Sequence, residues 1–139
     1  MRAATRLPIL HIVDAAAADL QRQAIGAGPV GVMGTAATLA MGLYQEGLGR
    51  ACLVPTAEEM AALVTPAIAS VKANRVAEAY GPLAEAVQLL RGRGAVAVVL
   101  GCTEIPLGIQ AGDWEALGVP LVDTIDALAR ASIGWWRGR

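Results

Sequence analysis

Phenylalanine is absent from this sequence of 139 residues, and histidine and lysine occur once each, as His11 and Lys72. There are two cysteines, Cys52 and Cys102, far apart and in no CxxC pair. One histidine and two scattered thiols are too few ligands for an ordinary zinc site, so no metal is expected. The same two thiols make no disulfide framework and fit a reducing cytoplasm, the location expected for the chain. Charge of one sign is also missing. Eleven basic residues against twelve acidic ones leave a formal net charge of -1. No basic patch points to nucleic acid, and there is no acidic tail.

Long charge-free stretches are scarce, and the best of them does not read as a membrane span. Residues 23–45 carry no charge and are long enough to cross a bilayer, but Gly26, Gly28, Pro29, Gly31, Gly34 and Gly42 interrupt them. They read as strand, turn and helix, and no membrane partner is expected. The opening "MRAATRLPILHIVDAAAADL" imitates a secretory signal, but His11 and Asp14 break its apolar stretch.

What is plentiful is aliphatic side chain. The mean hydropathy of +0.52 is high for a small domain. Without a membrane segment, that excess implies an apolar surface covered by a partner, so self-association is expected.

Four apolar runs bounded by Gly or Pro read as buried parallel strands: 30–33, 51–54, 96–100 and 121–122. Helical spacing occupies 13–25, 38–48, 56–72, 78–91 and 124–136. Thr56 with Glu59 forms a capping-box pattern, and Pro82 falls in a first turn. Strand alternating with helix predicts one α/β domain over 1–139, with a parallel sheet of about four strands and helices on both faces. Such sheets bind ligands outside the carboxyl ends of their strands. The positions to inspect are therefore Gly34-Thr35, Pro55-Thr56, Gly101 to Glu104 and Asp123-Thr124.

In "VGVMGTAAT" (30–38), Thr35 stands at a helix start, where free N–H groups hold anions and where a threonine also serves as a plain N-cap. In "VVLGCTEIPL" (98–107), an apolar strand stops at Cys102, Thr103 and Glu104. A thiol at a strand mouth, near a helix N-terminus, is a candidate nucleophile or general base; the plainer reading is a small buried hydrophobe. Cys52, within "ACLVP", reads as core. Lys72 closes its helix, where a cation suits the dipole. His11 has no obvious partner and reads as structural.

Together these segments resemble the aspartate/glutamate racemase family. "VLGCTEIPL" is similar to its second cysteine motif, and "GVMGTAATLAMGLY" to its GT-x-x-T...S-G-x-Y segment. "LPILHIVDAAAADL" and "GVPLVDTIDALARA" resemble the segments flanking them. Ala37 and Ala40 replace a usual glycine and serine. Glu104 resembles the aspartate racemase branch.

The resemblance implies a cofactor-independent isomerase of a small acidic amino acid, in which two cysteines face each other across the α-carbon. Cys102 matches the second of them. Thr35, Thr38 and Lys72 match positions near the substrate carboxylates, and Thr103 and Glu104 flank the thiol. The resemblance also implies that the fold is that of the family's second domain. The first domain, with its C-N-T cysteine, has no counterpart in the sequence, so pairing with such a domain or with a second copy is expected. A dicarboxylate-binding module, an inactive fragment and a single-thiol decarboxylase relative remain as alternatives.

Overall fold

The computed structural model describes residues 6–138. Helix α1 (Ile12–Arg22) leads into strand β1 (Val30–Met33), and two short helices, α2 (Ala36–Ala40) and α3 (Leu43–Gly47), precede β2 (Cys52–Leu53). A long helix follows in three parts: α4 (Ala57–Glu59), a π turn (Met60–Val64) and α5 (Thr65–Lys72). Helix α6 (Tyr80–Gly92), behind a 3-10 turn (Val76–Glu78), returns the chain to β3 (Val98–Leu100). Then come α7 (Ile105–Gly108), α8 (Trp114–Leu117), β4 (Leu121–Asp123) and α9 (Thr124–Arg137).

The strands form one parallel sheet in the order β2-β1-β3-β4. Successive strand residues point to opposite faces, and two apolar cores result. Val98, Leu100 and Leu121 face a core built from α5, α6 and α7, through Val71, Leu83, Leu90 and Ile105. Val30, Val32, Val99 and Val122 face the other core, built from α1 and α3. The expected parallel α/β architecture with helices on both faces is therefore present.

Helix boundaries differ from expectation where backbone chemistry overrides periodicity. The first helix stops at Arg22, because Ala24 takes a left-handed φ of 53° and Ile25 N–H closes back on Leu20 O at 3.1 Å. The pattern over 38–48 is two helices; Gly42, at φ 66°, separates them. The helix over 56–72 is continuous but contains the π turn, where Thr65 N–H reaches Met60 O. Pro66 has no N–H and crowds the carbonyl of the preceding turn, which a π turn accommodates. The helices α7 and α8 are too short to leave a periodic signature.

His11 does have a structural role, since its Nδ1 accepts from Val13 N–H at 3.2 Å and caps α1. Cys52 lies on the edge strand, half-buried against the α1 core, with its Sγ donating to Arg50 O at 3.4 Å. No described helix is long and apolar enough to cross a membrane.

Candidate active site

The strand order decides where a ligand can enter. From β1 the chain runs outward to β2, then crosses back to place β3 on the other side of β1. The crevice at such a switch point opens between the carboxyl ends of β1 and β3. Those ends carry Gly34-Thr35 and Gly101-Cys102. They touch directly, with Gly101 N–H donating to Met33 O at 2.6 Å.

On the β1 side, Thr35 caps α2. Its Oγ1 accepts from Thr38 N–H at 3.2 Å and lies 2.9 Å from Thr38 Oγ1. The plain capping reading is therefore satisfied, and the paired hydroxyls also stand side by side at the crevice.

On the β3 side, Cys102 is half-buried just before α7. Burial is the largest influence on its thiol and pushes it above the ordinary value. The backbone N–H groups of Ile105 and Glu104 point at Sγ and oppose that rise; the Glu104 carboxylate, which accepts from the thiol, reinforces it. Glu104 itself is held below the ordinary carboxylate range, chiefly by the Thr103 hydroxyl donating to Oε2 at 2.9 Å, with Lys72 as a smaller cause. At neutral pH the pair is a thiol beside a carboxylate.

Lys72 Nζ lies 3.5 Å from Glu104 Oε1. Both ends are solvent-accessible, so the pair contributes at most about 1 kcal/mol and an incoming carboxylate can open it. Lys72 reaches this position because α5 ends just after it, at Asn74, whose left-handed φ of 59° lets Arg75 N–H bond Ser70 O at 2.8 Å. Cys102, Thr103, Glu104 and Lys72 thus form one cluster. Thr35 and Thr38 form a second, joined to the first through Gly34 and Gly101.

The residue pattern of the Asp/Glu/Hydantoin racemase family matches residues 1–132. The chain belongs to that family. Solved structures of family proteins share its fold. An aspartate racemase homologue from Pyrococcus horikoshii OT3 superposes with a TM-score of 0.78 at 26% identity, over 96% of this chain and 58% of that one. The aspartate racemase of Picrophilus torridus superposes with a TM-score of 0.72, also at 26% identity, over 90% of this chain and 51% of that one. The chain therefore spans little more than half the length of these racemase structures.

Two groups at the site were not singled out by the sequence as functional. Tyr44, which closes the family-like segment over 31–44, is buried with its ring against Gly101; burial raises its phenol above the ordinary value, and the Thr124 side chain opposes that rise. Position 124 follows a strand and was open to inspection on that ground; Tyr44 ends the segment similar to GT-x-x-T...S-G-x-Y but was given no role there. A cavity of about 290 Å³ lies toward the β4 side, lined by Leu100, Pro106, Trp114, Asp123 and Arg130 among others. Its lining does not include Cys102, which is half-buried against the core beneath α5, α6 and α7. Among the described residues, no three His, Cys, Asp or Glu side chains gather in a group that could hold a metal ion.

Proposed function

We propose that this chain supplies one wall of a cofactor-independent isomerase site for a small acidic amino acid, with Cys102 as the proton carrier for one face of the α-carbon. The observation that carries this reading is the Cys102 thiol at the switch-point crevice, with two backbone N–H groups aimed at its sulfur and the Glu104 carboxylate beside it. Held as a thiol at neutral pH, Cys102 suits the acid half of an inversion: it delivers its proton to the carbanion and becomes a thiolate that the two N–H groups receive. Glu104, already ionised, disfavours that thiolate throughout and so favours the return of a proton to the sulfur.

In this reading the Thr35 and Thr38 hydroxyls and the Lys72 ammonium receive the substrate carboxylates, with Lys72 exchanging Glu104 for the ligand. Thr103 keeps the Glu104 carboxylate turned toward itself and away from the incoming anion.

Inversion needs a second acid-base group on the opposite face. Apolar side chains at and near the crevice favour a second wall as its source: Met41 is 64% and Leu107 54% exposed, and on α9 Trp136 is 72% exposed. In this reading a first domain of the family type or a second copy of the chain covers that surface. Buried there, these side chains would also account for the high mean hydropathy.

The test is α-deuterium incorporation from D2O into L- and D-aspartate by NMR, beside chiral chromatography of the product. The isolated chain is expected to exchange at most one enantiomer with retention. A family-type first domain added in trans is expected to restore inversion, and Cys102→Ser to abolish it. Inversion by a chain shown to be monomeric during turnover, or activity that survives Cys102→Ser, overturns the reading.

A further inference from the structure

We propose that the cavity beside β4 is a second binding site, separate from the crevice, for a zwitterionic amino acid with an aliphatic side chain. The inference goes beyond the isomerase reading and does not depend on it, since Cys102 is not in the lining.

Strand β4 is an edge of the sheet. On one face of the sheet α1 packs against α9, and on the other lie α7 and α8. The cavity sits between these layers, and its two walls differ in character. One is apolar, made by Leu100, Pro106, Ile109 and Trp114. Leu100 and Ile109 are almost fully buried, and Trp114 packs partly buried against the core. The other wall is charged. Asp19 and Arg22 come from α1, and Asp123, Asp126 and Arg130 from the start of α9.

These charges are held in a definite way. Asp19 is only 7% exposed, and both its oxygens are engaged, by Arg22 Nε at 2.7 Å and Gln23 Nε2 at 2.8 Å. Asp126 holds Arg130 Nε at 2.6 Å. Each guanidinium is thus fixed through Nε, and its Nη groups are not spent on that bond. An arginine anchored on one side presents its remaining N–H groups to an oxyanion. Asp123 caps α9 through Oδ1 alone, which accepts from Ile125 and Asp126 N–H at 2.8 and 3.1 Å. Its second oxygen is not spent on the cap and can receive a cation.

The charge balance selects the ligand. Three carboxylates against two guanidiniums leave the lining one negative charge. A lone anion meets net repulsion, and a lone cation leaves the guanidinium edges unused. A zwitterion answers both, with its carboxylate on the arginines and its ammonium on Asp123. An acidic side chain would bring a second anion into a negative site, whereas an aliphatic one buries against the apolar wall. At about 290 Å³ the cavity is at the small end of ligand sites, the size for one amino acid. Leu100 and Pro106 flank the Cys102 turn, so an occupant leans on the segment that carries the thiol.

The test uses the whole chain and L-leucine as the probe. The indole N–H signal of Trp114 is followed in 1H–15N NMR spectra and identified by its loss in Trp114→Phe. Leucine should shift it saturably and leave the signals of Trp135 and Trp136 in place. Arg130→Gln should weaken binding about tenfold, the effect of one charge-assisted hydrogen bond. Asp123→Asn keeps the cap and loses the charge, and should weaken it to a similar degree. Two truncated analogues, 4-methylpentanoate without the ammonium and 3-methylbutylamine without the carboxylate, should each bind about tenfold more weakly than leucine. Cys102→Ser should leave the leucine titration unchanged.

The proposal is overturned if Trp114 shows no saturable shift up to the solubility limit of leucine, or if either truncated analogue binds as tightly. Titrations of Arg130→Gln and Asp123→Asn that superimpose on the parent overturn it as well. So does loss of the shift in Cys102→Ser, which would put leucine in the crevice. If Asp123→Asn does not fold by circular dichroism, the exposed Arg130→Gln decides alone. Failure of the isomerase reading shows separately, as absent deuterium exchange with the leucine titrations intact.

Discussion

The turn after β1 and the turn after β3 lie side by side at one crevice, yet they are held in opposite ways. The Gly34–Thr38 turn is satisfied within itself: Thr35 Oγ1 serves Thr38 N–H and Thr38 Oγ1, and α2 has no buried residue. The Gly101–Glu104 turn has one internal bond, from Thr103 to Glu104, and is otherwise held from outside. It is bonded to Met33, pressed by Tyr44 and faced by Lys72. A self-contained turn can present hydroxyls to an anion and tolerate change. An externally clamped turn can tune a thiol's protonation through burial and two N–H groups, and it is brittle for the same reason. In the proposed reading, two strand ends with similar local sequence logic divide binding from proton transfer.

The largest difference should appear in activity. With a family-type first domain present, Cys102→Ser is expected to lower α-proton exchange by more than about a hundredfold. Thr35→Ser, which keeps the cap and the hydroxyl, should change it far less. Deuterium incorporation by NMR measures both, and equal losses would erase the division of labour.

Next in size is stability. Gly101→Ala forces a Cβ to 2.9 Å from Met33 O and 3.0 Å from the Tyr44 ring, whereas the same change at Gly34 meets Thr38 Cγ2 at 3.3 Å, the movable end of a side chain. Gly101→Ala should cost about 1–3 kcal/mol by urea denaturation, the range for overpacking, and Gly34→Ala clearly less. Thr35→Ala removes a cap and should cost about 1 kcal/mol by the same measurement.

The smallest effect is in pH dependence. Burial holds the folded Cys102 thiol above its ordinary value of 9.0. A group raised on folding leaves stability intact below its unfolded pKa and withdraws it as pH climbs toward the folded value. The Tm of the parent should therefore fall faster above pH 9 than that of Cys102→Ser, by on the order of 2 °C. Parallel curves would mean that the thiol is less buried than the clamped turn implies.

Much of this was legible in the chain itself. Continuous apolar runs ending at Gly34 and Gly101 marked parallel strands, and the polar residues after them marked the crevice. Cys102, Thr103, Glu104 and Lys72 do converge. Strand order was not legible, because nothing in a run such as 98–100 says which neighbour it pairs with. Tyr44 was missed for a related reason. A lone tyrosine in a helical pattern looks the same whether its ring meets water or a buried turn, and only the return of Gly101 from far along the chain tells them apart. The break at Gly42 and the stop at Ala24 escaped periodicity because each depends on one residue's backbone rather than on side-chain spacing.

The π turn at Met60–Val64 gives the helix that ends at Lys72 one residue of slack. One residue more or fewer in an ordinary α-helix rotates everything beyond it by about 100°. In α5 such a rotation would carry Ala67, Ile68 and Val71 out of the core together with the ammonium of Lys72. Beside Pro66, the wide turn holds an extra residue without passing that rotation on. A single-residue deletion within 60–64 would return the segment to ordinary α geometry and leave Val71 turned to the core and Lys72 to Glu104. The length of this helix can thus change by one codon at a place where the aim of its last turn is not at stake.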